Sequence, residues 1–104
     1  MAKVIFIIYM HRNKINNKVY IGQTLNPKKR WEYNGVHYKG SPKFYNAIQK
    51  YGWDNFEHII LKENLTLEEA NYFEKYYIEK YNSVNNGYNI RAGGENGSWP
   101  EDIR

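Results

Sequence analysis

Ile7-Ile8-Tyr9 followed by Lys18-Val19-Tyr20-Ile21-Gly22-Gln23-Thr24 is the stretch on which the fold turns. Two β-rich runs, Val4 to Met10 and Lys18 to Gln23, flank a polar connection, His11 to Asn17, that contains Asn16-Asn17. This is the pattern of an antiparallel pair. Residues directly opposite one another share a face of the sheet. Any register whose paired positions sum to an odd number therefore puts Tyr9 and Tyr20 on one face. A register centred between Lys14 and Ile15 would set them directly opposite, whereas an even-sum register or a single bulge would separate them. Two phenols on one face beside a basic segment would suit phosphate chemistry. The chain has 11 tyrosines, and Tyr favours strands for its packing alone, so the pair gains weight only from its neighbours.

At 104 residues the chain is expected to form one small domain. Its 41% hydrophobic content argues against global disorder. No apolar run reaches the length of a membrane span, and the short apolar start lacks a signal-peptide cleavage site, so a soluble protein without a membrane partner is expected. There is no cysteine, which removes disulfides and thiolate metal sites. The net charge of +4 favours polyanionic partners. Its distribution says more than its total. From Lys28 to Lys43 there are five cations (Lys28, Lys29, Arg30, Lys39, Lys43) against Glu32 alone, with Trp31, Tyr33, His37 and Tyr38 interleaved. Such a patch reads as a nucleic-acid surface or as an ordinary solvated basic face.

Asn26-Pro27 is an N-cap followed by proline at the first helical position, so a helix is expected from Pro27 to about Tyr33. Four residues apart, Arg30 and Asn34 would then share a face, and Trp31 would anchor the core. Ser41-Pro42 repeats the start signal; Phe44, Ile48 and Tyr51 form the inward stripe, and Gly52 ends the helix. Phe56 to Leu61 reads as a third strand whose apolar run suits a central or buried position. Thr66-Leu67-Glu68-Glu69 is a capping box, with Leu65 and Ala70 as a hydrophobic staple, and it opens a helix over 67–81. The expected inward stripe of that helix is Ala70, Phe73, Tyr77 and Tyr81, with Ile78 adjoining. Glu74 lies at or beside this stripe and needs an arginine, a lysine or a metal as partner; an ordinary buried ion pair would also satisfy it. The architecture is α+β, a three-stranded, mostly antiparallel sheet flanked by three helices. Asn85 to Ile90 is a turn and a short extended piece. Residues 93–104 read as a linker followed by Ser98-Trp99-Pro100, the start of a helix that the chain does not finish.

These residues together resemble the GIY-YIG nuclease family, over nearly everything from Ile7 to Asn89. The first motif corresponds to Ile7-Ile8-Tyr9 and the second to Tyr20-Ile21-Gly22, with Arg30, Glu74 and Asn89 (within Asn86-Gly87-Tyr88-Asn89-Ile90) completing the set. The resemblance is greatest to catalytic domains of phage and intron-encoded homing endonucleases. It implies a nuclease domain over 1–92, and a linker over 93–104 leading toward a separate C-terminal DNA-targeting module. It also implies DNA as substrate, 5′-phosphate and 3′-hydroxyl products, one divalent metal (Mg²⁺ or Mn²⁺) on Glu74, and action in the cytoplasm of a bacterial cell or phage-infected host. By the same resemblance Tyr9 is the general base, Tyr20 orients the water or phosphate, Arg30 stabilises phosphoryl charge, and Asn89 supports the site. Tyr9 can serve only with a depressed pKa or a proton relay, since a free phenol titrates near about 10. Lys28, Lys29, Asn34, Lys39 and Lys43 form the expected nucleic-acid-binding set.

Three positions depart from the family pattern. Ile7 stands where the first motif has glycine, Asn34 where homing members carry a histidine four residues after the arginine, and Lys39 at or near a second histidine. His37 is the candidate substitute. Two other readings follow from these departures: a catalytically reduced nucleic-acid-binding module of the same fold, and a structure-selective repair nuclease.

Overall fold

A computed structural model describes residues 5–90 of the protein. Its order is β1 (Phe6–Asn13), β2 (Val19–Thr24), α1 (Pro27–Arg30), α2 (Glu32–Gly35), α3 (Pro42–Tyr51), β3 (Phe56–Leu65), α4 (Leu67–Tyr81) and α5 (Ser83–Asn86), with single 3₁₀ turns at Val36–Tyr38 and Trp53–Asn55. The sheet is antiparallel with strand order β2-β1-β3. The expected start of β1 at Val4, the linker and the C-terminal helix start lie outside the described residues.

The hairpin pairs Ile7 with Thr24, Tyr9 with Gly22 and His11 with Tyr20. The sums are odd, so Tyr9 and Tyr20 share a face as one of the expected registers requires. They sit diagonally rather than opposite, because β1 runs on to Asn13 and moves the turn. Asn13 and Asn16 close that turn through their side chains, which accept from the backbone N–H groups of Ile15 and Lys18 at 2.8 and 2.9 Å. Such Asx turns let Asn13 end the strand. His11, Arg12 and Asn13, expected in the connection, are therefore strand residues.

β1, not β3, is the central strand. Its residues from Ile7 to His11 are all buried because helices cover both faces. One face carries Ile7 and Tyr9 against Phe44, Ala47 and Ile48 of α3. The other carries Ile8, Met10, Val19 and Ile21 against Ala70 and Ile78 of α4. β3 is an edge strand, and its Ile60 is exposed. α3 begins and ends as expected, with Pro42 first and Gly52 at φ 88 closing it. α4 carries the full capping box: Thr66 Oγ1 accepts from Glu69 N–H, and Glu69 Oε1 accepts from Thr66 N–H. Its inward stripe is Ala70, Glu74 and Ile78; Tyr81 is exposed, contrary to expectation.

Replacing the cap, Thr66→Ala, removes one partner of that reciprocal pair. It should cost about 1 kcal/mol in urea unfolding, read as a lower midpoint at unchanged slope.

Candidate active site

On the α3 face of the sheet, period-two alternation brings Tyr9 and His11 of β1 beside Tyr20 of β2. The Tyr9 and Tyr20 ring centres are 6.4 Å apart, and Trp31 meets Tyr9 edge-on at 5.7 Å. Tyr9 lies across its cross-strand partner. A side-chain carbon at Gly22 would collide with the Tyr9 Oη and lie 2.5 Å from its Cζ. The glycine of the second motif thus opens the floor on which the phenol rests. Ile7 takes the place of the first glycine without blocking this arrangement, since its side chain joins the core cluster.

Arg30 reaches the same face. Its Nε donates to Tyr9 Oη at 3.5 Å, its Nη1 donates to the His37 carbonyl at 3.0 Å, and its Cζ stands 4.2 Å over the Tyr38 ring. The backbone between these residues is responsible. α1 stops at Arg30, and Tyr33, Asn34 and Gly35 follow with φ of 54°, 57° and 86°. The helix expected to reach Tyr33 is therefore cut short, and Arg30 and Asn34 do not share a helical face. Left-handed residues reverse the chain and return Val36–Tyr38 over the arginine. Gly35 is required there, because a Cβ would lie 2.8 Å from Ile48 and Trp53 side-chain atoms.

The electrostatics follow from burial. Burial pushes the Tyr9 phenol above its ordinary range, the Tyr20 phenol adds to this, and Arg30 and Tyr38 only partly offset it. Burial raises Tyr38 and Tyr20 as well. Burial also disfavours the Arg30 charge, but the neighbouring Tyr9, Tyr20 and Tyr38 outweigh it and its pKa is raised, so the guanidinium stays charged. A standing phenolate at Tyr9, one way of making it a base, is thus not what this environment favours.

Glu74 comes from the other side. On α4, against the opposite face, its carboxylate accepts from Gln23 Nε2 at 2.7 Å. A neutral amide is thus one of its partners. Its charge is felt at Tyr20, whose phenol it raises, across the edge strand β2. Gln23 Oε1 is buried without a hydrogen-bond partner. Among the described residues no three acidic, histidine or cysteine side chains converge as a metal cage. One carboxylate beside an amide oxygen fits a hard, largely hydrated ion such as Mg²⁺ or Mn²⁺, which takes its remaining ligands from water and phosphate.

Asn89 acts as a side-chain strand on the open edge of β2. Its Oδ1 accepts from Ile21 N–H at 2.9 Å and from Ser83 Oγ at 2.7 Å, and its Nδ2 donates to the Ile21 carbonyl at 2.9 Å. Tyr88 N–H donates to the Val19 carbonyl at 2.9 Å, an approach so close that a Cβ on Gly87 would sit 2.5 Å from that oxygen. Lys43, expected on the nucleic-acid surface, donates to the Val84 and Asn89 carbonyls at 2.8 and 3.0 Å. It therefore fastens this segment to α3. Lys28, Lys29, Asn34 and Lys39 are exposed. The His37 ring lies 3.4 Å from Glu32; only its carbonyl reaches Arg30.

Sequence reading missed His11, Tyr38 and His58. His11 is fully buried, with Nε2 2.8 Å from Tyr38 Oη and Nδ1 2.8 Å from His58 Nδ1. Burial, His58 and Arg30 lower its pKa well below the usual imidazole range. Burial and Lys14 lower that of His58. The available signal was period two: His11 is two residues after Tyr9 and shares its face once β1 is extended.

The family described as the GIY-YIG catalytic domain matches residues 5–89. Intron-associated endonuclease 1 of Enterobacteria phage T4 is 36% identical over 94 residues, covering 80% of this chain and 36% of that protein. The chain thus spans little more than a third of that relative's length. The solved catalytic domain of homing endonuclease I-TevI matches with a TM-score of 0.68 at 32% identity, over 81% of this chain and 96% of that one. A mutant of the catalytic domain of intron endonuclease I-TevI matches with a TM-score of 0.70 at 33% identity, over 83% and 93%.

The shifts fix a pH window for stability. The raised phenols hold protons that the unfolded chain releases near about 10, so stability is lost as pH rises past that value. The depressed imidazoles stay neutral while the unfolded chain takes up protons near about 6.5, so stability is lost as pH falls below it. Melting temperature should therefore be highest between about 7 and 10 and decline on both sides. Thermal unfolding across pH 5 to 11 checks this.

Proposed function

The chain belongs to the GIY-YIG family, and on that premise we propose that it is the catalytic domain of a divalent-metal-dependent DNA endonuclease of the homing type. The observation that carries this is Arg30, held at Tyr9 and over Tyr38 on the sheet face that Tyr20 shares. A guanidinium set among neutral phenols is a positive, preorganised site for the oxygens of a phosphodiester.

In this reading water attacks the phosphorus and the products are a 5′-phosphate and a 3′-hydroxyl. Arg30 stabilises the charge that develops on the phosphoryl oxygens. Tyr9 receives the proton of the attacking water, and Tyr20 orients that water or the phosphate. Glu74 would hold the ion, which when bound supplies charge to the scissile phosphate and the leaving oxygen. Lys28, Lys29, Lys39 and Asn34 would meet the DNA backbone, with affinity that falls as salt rises. Such a small surface offers little base readout, so target choice would come from a C-terminal module or from DNA shape. The site of action would be the cytoplasm of a bacterial or phage-infected cell.

Supercoiled plasmid with Mg²⁺ or Mn²⁺ tests the reading. The chain should nick or cut it, chelator should stop the reaction, and Glu74→Ala or Arg30→Ala should slow it by about 10²-fold or more. Cleavage at equal rates by Glu74→Ala would remove the assigned ligand. Salt-dependent binding with no cleavage would instead favour a binding module, and cleavage restricted to branched DNA a repair nuclease.

A further inference from the structure

Tyr33 is the most exposed large hydrophobic side chain among the described residues, at 76%. Its backbone is unfavourable as well. With φ 54° and ψ 41° it is left-handed, a region that glycine, asparagine and aspartate tolerate and an aromatic residue seldom enters. Asn34 and Gly35 continue in the same region with residue types suited to it. The turn itself answers to the Arg30–His37 contact; the choice of tyrosine within it does not. Among the described residues the Tyr33 side chain has no hydrogen bond, ring contact or ion partner. The other exposed tyrosines each lean on a neighbour: Tyr72 meets Phe73, Tyr76 meets Tyr77, and Tyr81 stacks on Tyr77.

The loop that presents this ring is fixed at its base. Arg30 Nη1 donates to the His37 carbonyl at 3.0 Å, and the His37 ring lies 3.4 Å from Glu32 Oε1. Val36 N–H donates to the Tyr33 carbonyl, and Gly35 is buried close against Ile48 and Trp53. The ring thus stands out from a closed turn whose first residue is Arg30. Around it in the chain, Lys28, Lys29 and Lys39 are exposed, and Glu32, the acid among them, is turned to His37.

We propose that Tyr33 stacks on a nucleobase of the DNA, beside the phosphate that Arg30 engages, and grips the strand at the cleavage step. This rests on the nuclease reading above. A single ring among cations matches a nucleotide, which offers a π-face to the ring and a phosphate to the lysines. A protein partner would call for a contiguous apolar patch, and the chain neighbours of Tyr33 are the polar Glu32 and Asn34. Stacking is tolerant of sequence because every base has a π-face, so the contact adds hold on the DNA at a surface too small for extensive base readout.

Fluorescence anisotropy of a short labelled duplex of mixed sequence, without divalent metal, reads binding apart from cleavage. Tyr33→Ser should bind about 10-fold more weakly, with an unchanged dependence on salt, because a stacked ring displaces no counterions. Lys29→Ala should instead lower the salt slope by about one. Tyr33→Phe and Tyr33→Trp should bind as the wild type does, since the π-face and not the hydroxyl makes the contact. Tyr33→Gly should melt no lower than the wild type yet bind as poorly as Tyr33→Ser, which separates the lost contact from lost folding. Wild-type affinity in Tyr33→Ser overturns the proposal and gives the ring to another partner. A Tyr33→Phe protein as weak as Tyr33→Ser also overturns it, by assigning the contact to the hydroxyl. Neither result touches the nuclease reading if the protein cuts plasmid. A protein that binds DNA through Tyr33 as expected but cuts none in Mg²⁺ or Mn²⁺ overturns the nuclease reading and supports the stacking contact. One that binds no DNA overturns both.

Discussion

One missing carbon organises this domain. Gly22 faces Tyr9 across the β1–β2 pair, and the phenol lies where any other residue would place its Cβ. Because the ring can lie over β2, its hydroxyl reaches Arg30. Trp31 and His11 then pack against it, and the ring is buried. Interiors this tightly packed transmit a displaced ring to all its neighbours, so the site is part of the core rather than an addition to it.

That design explains the unusual electrostatics. The arginine keeps its charge as a guanidinium does in any protein, with the Tyr9 hydroxyl accepting from it and the Tyr38 ring beneath it, and burial keeps the phenols protonated. The result is a fixed positive centre in a low-dielectric surround, where it interacts more strongly with a phosphate than a solvated lysine would. Glu74 approaches from the opposite face at β2, where it accepts from Gln23 and its charge raises the Tyr20 phenol. Asn89 and Tyr88 then pair with that edge, tying the chain's last described turn to the strand that carries Tyr20.

Much of this was legible in the sequence, and the misses have physical causes. Asn26, Ser41-Pro42, Gly52 and the Thr66–Glu69 box are local signals whose partners lie within one helical turn, and they marked helix starts and stops correctly. That Tyr9 and Tyr20 share a face in any odd-sum register followed from parity, with the register itself left open until the pairing is seen. The turn between them did not, because Asn13 and Asn16 close it with side-chain hydrogen bonds that no alternation reveals. The break after Arg30 also escaped, since Tyr33 and Asn34 adopt a left-handed backbone to answer a tertiary demand for the Arg30–His37 contact. Lys43 looked like a DNA contact because its two carbonyl partners lie more than forty residues away. His11 was hidden for the same reason: its meaning depends on His58 and Tyr38, which only the fold brings near.

The claim that the site hangs on the Tyr9–Gly22 crossing is tested most directly by a double-mutant cycle in urea unfolding, with Gly22→Ala made in the wild-type and in the Tyr9→Ala protein. In the wild type the added methyl should cost about 1–3 kcal/mol by forcing the ring aside. Once Tyr9 is gone it should cost much less, leaving a large coupling between the two positions. Equal costs in both backgrounds would contradict the account, because the glycine would then serve the strand and not the phenol.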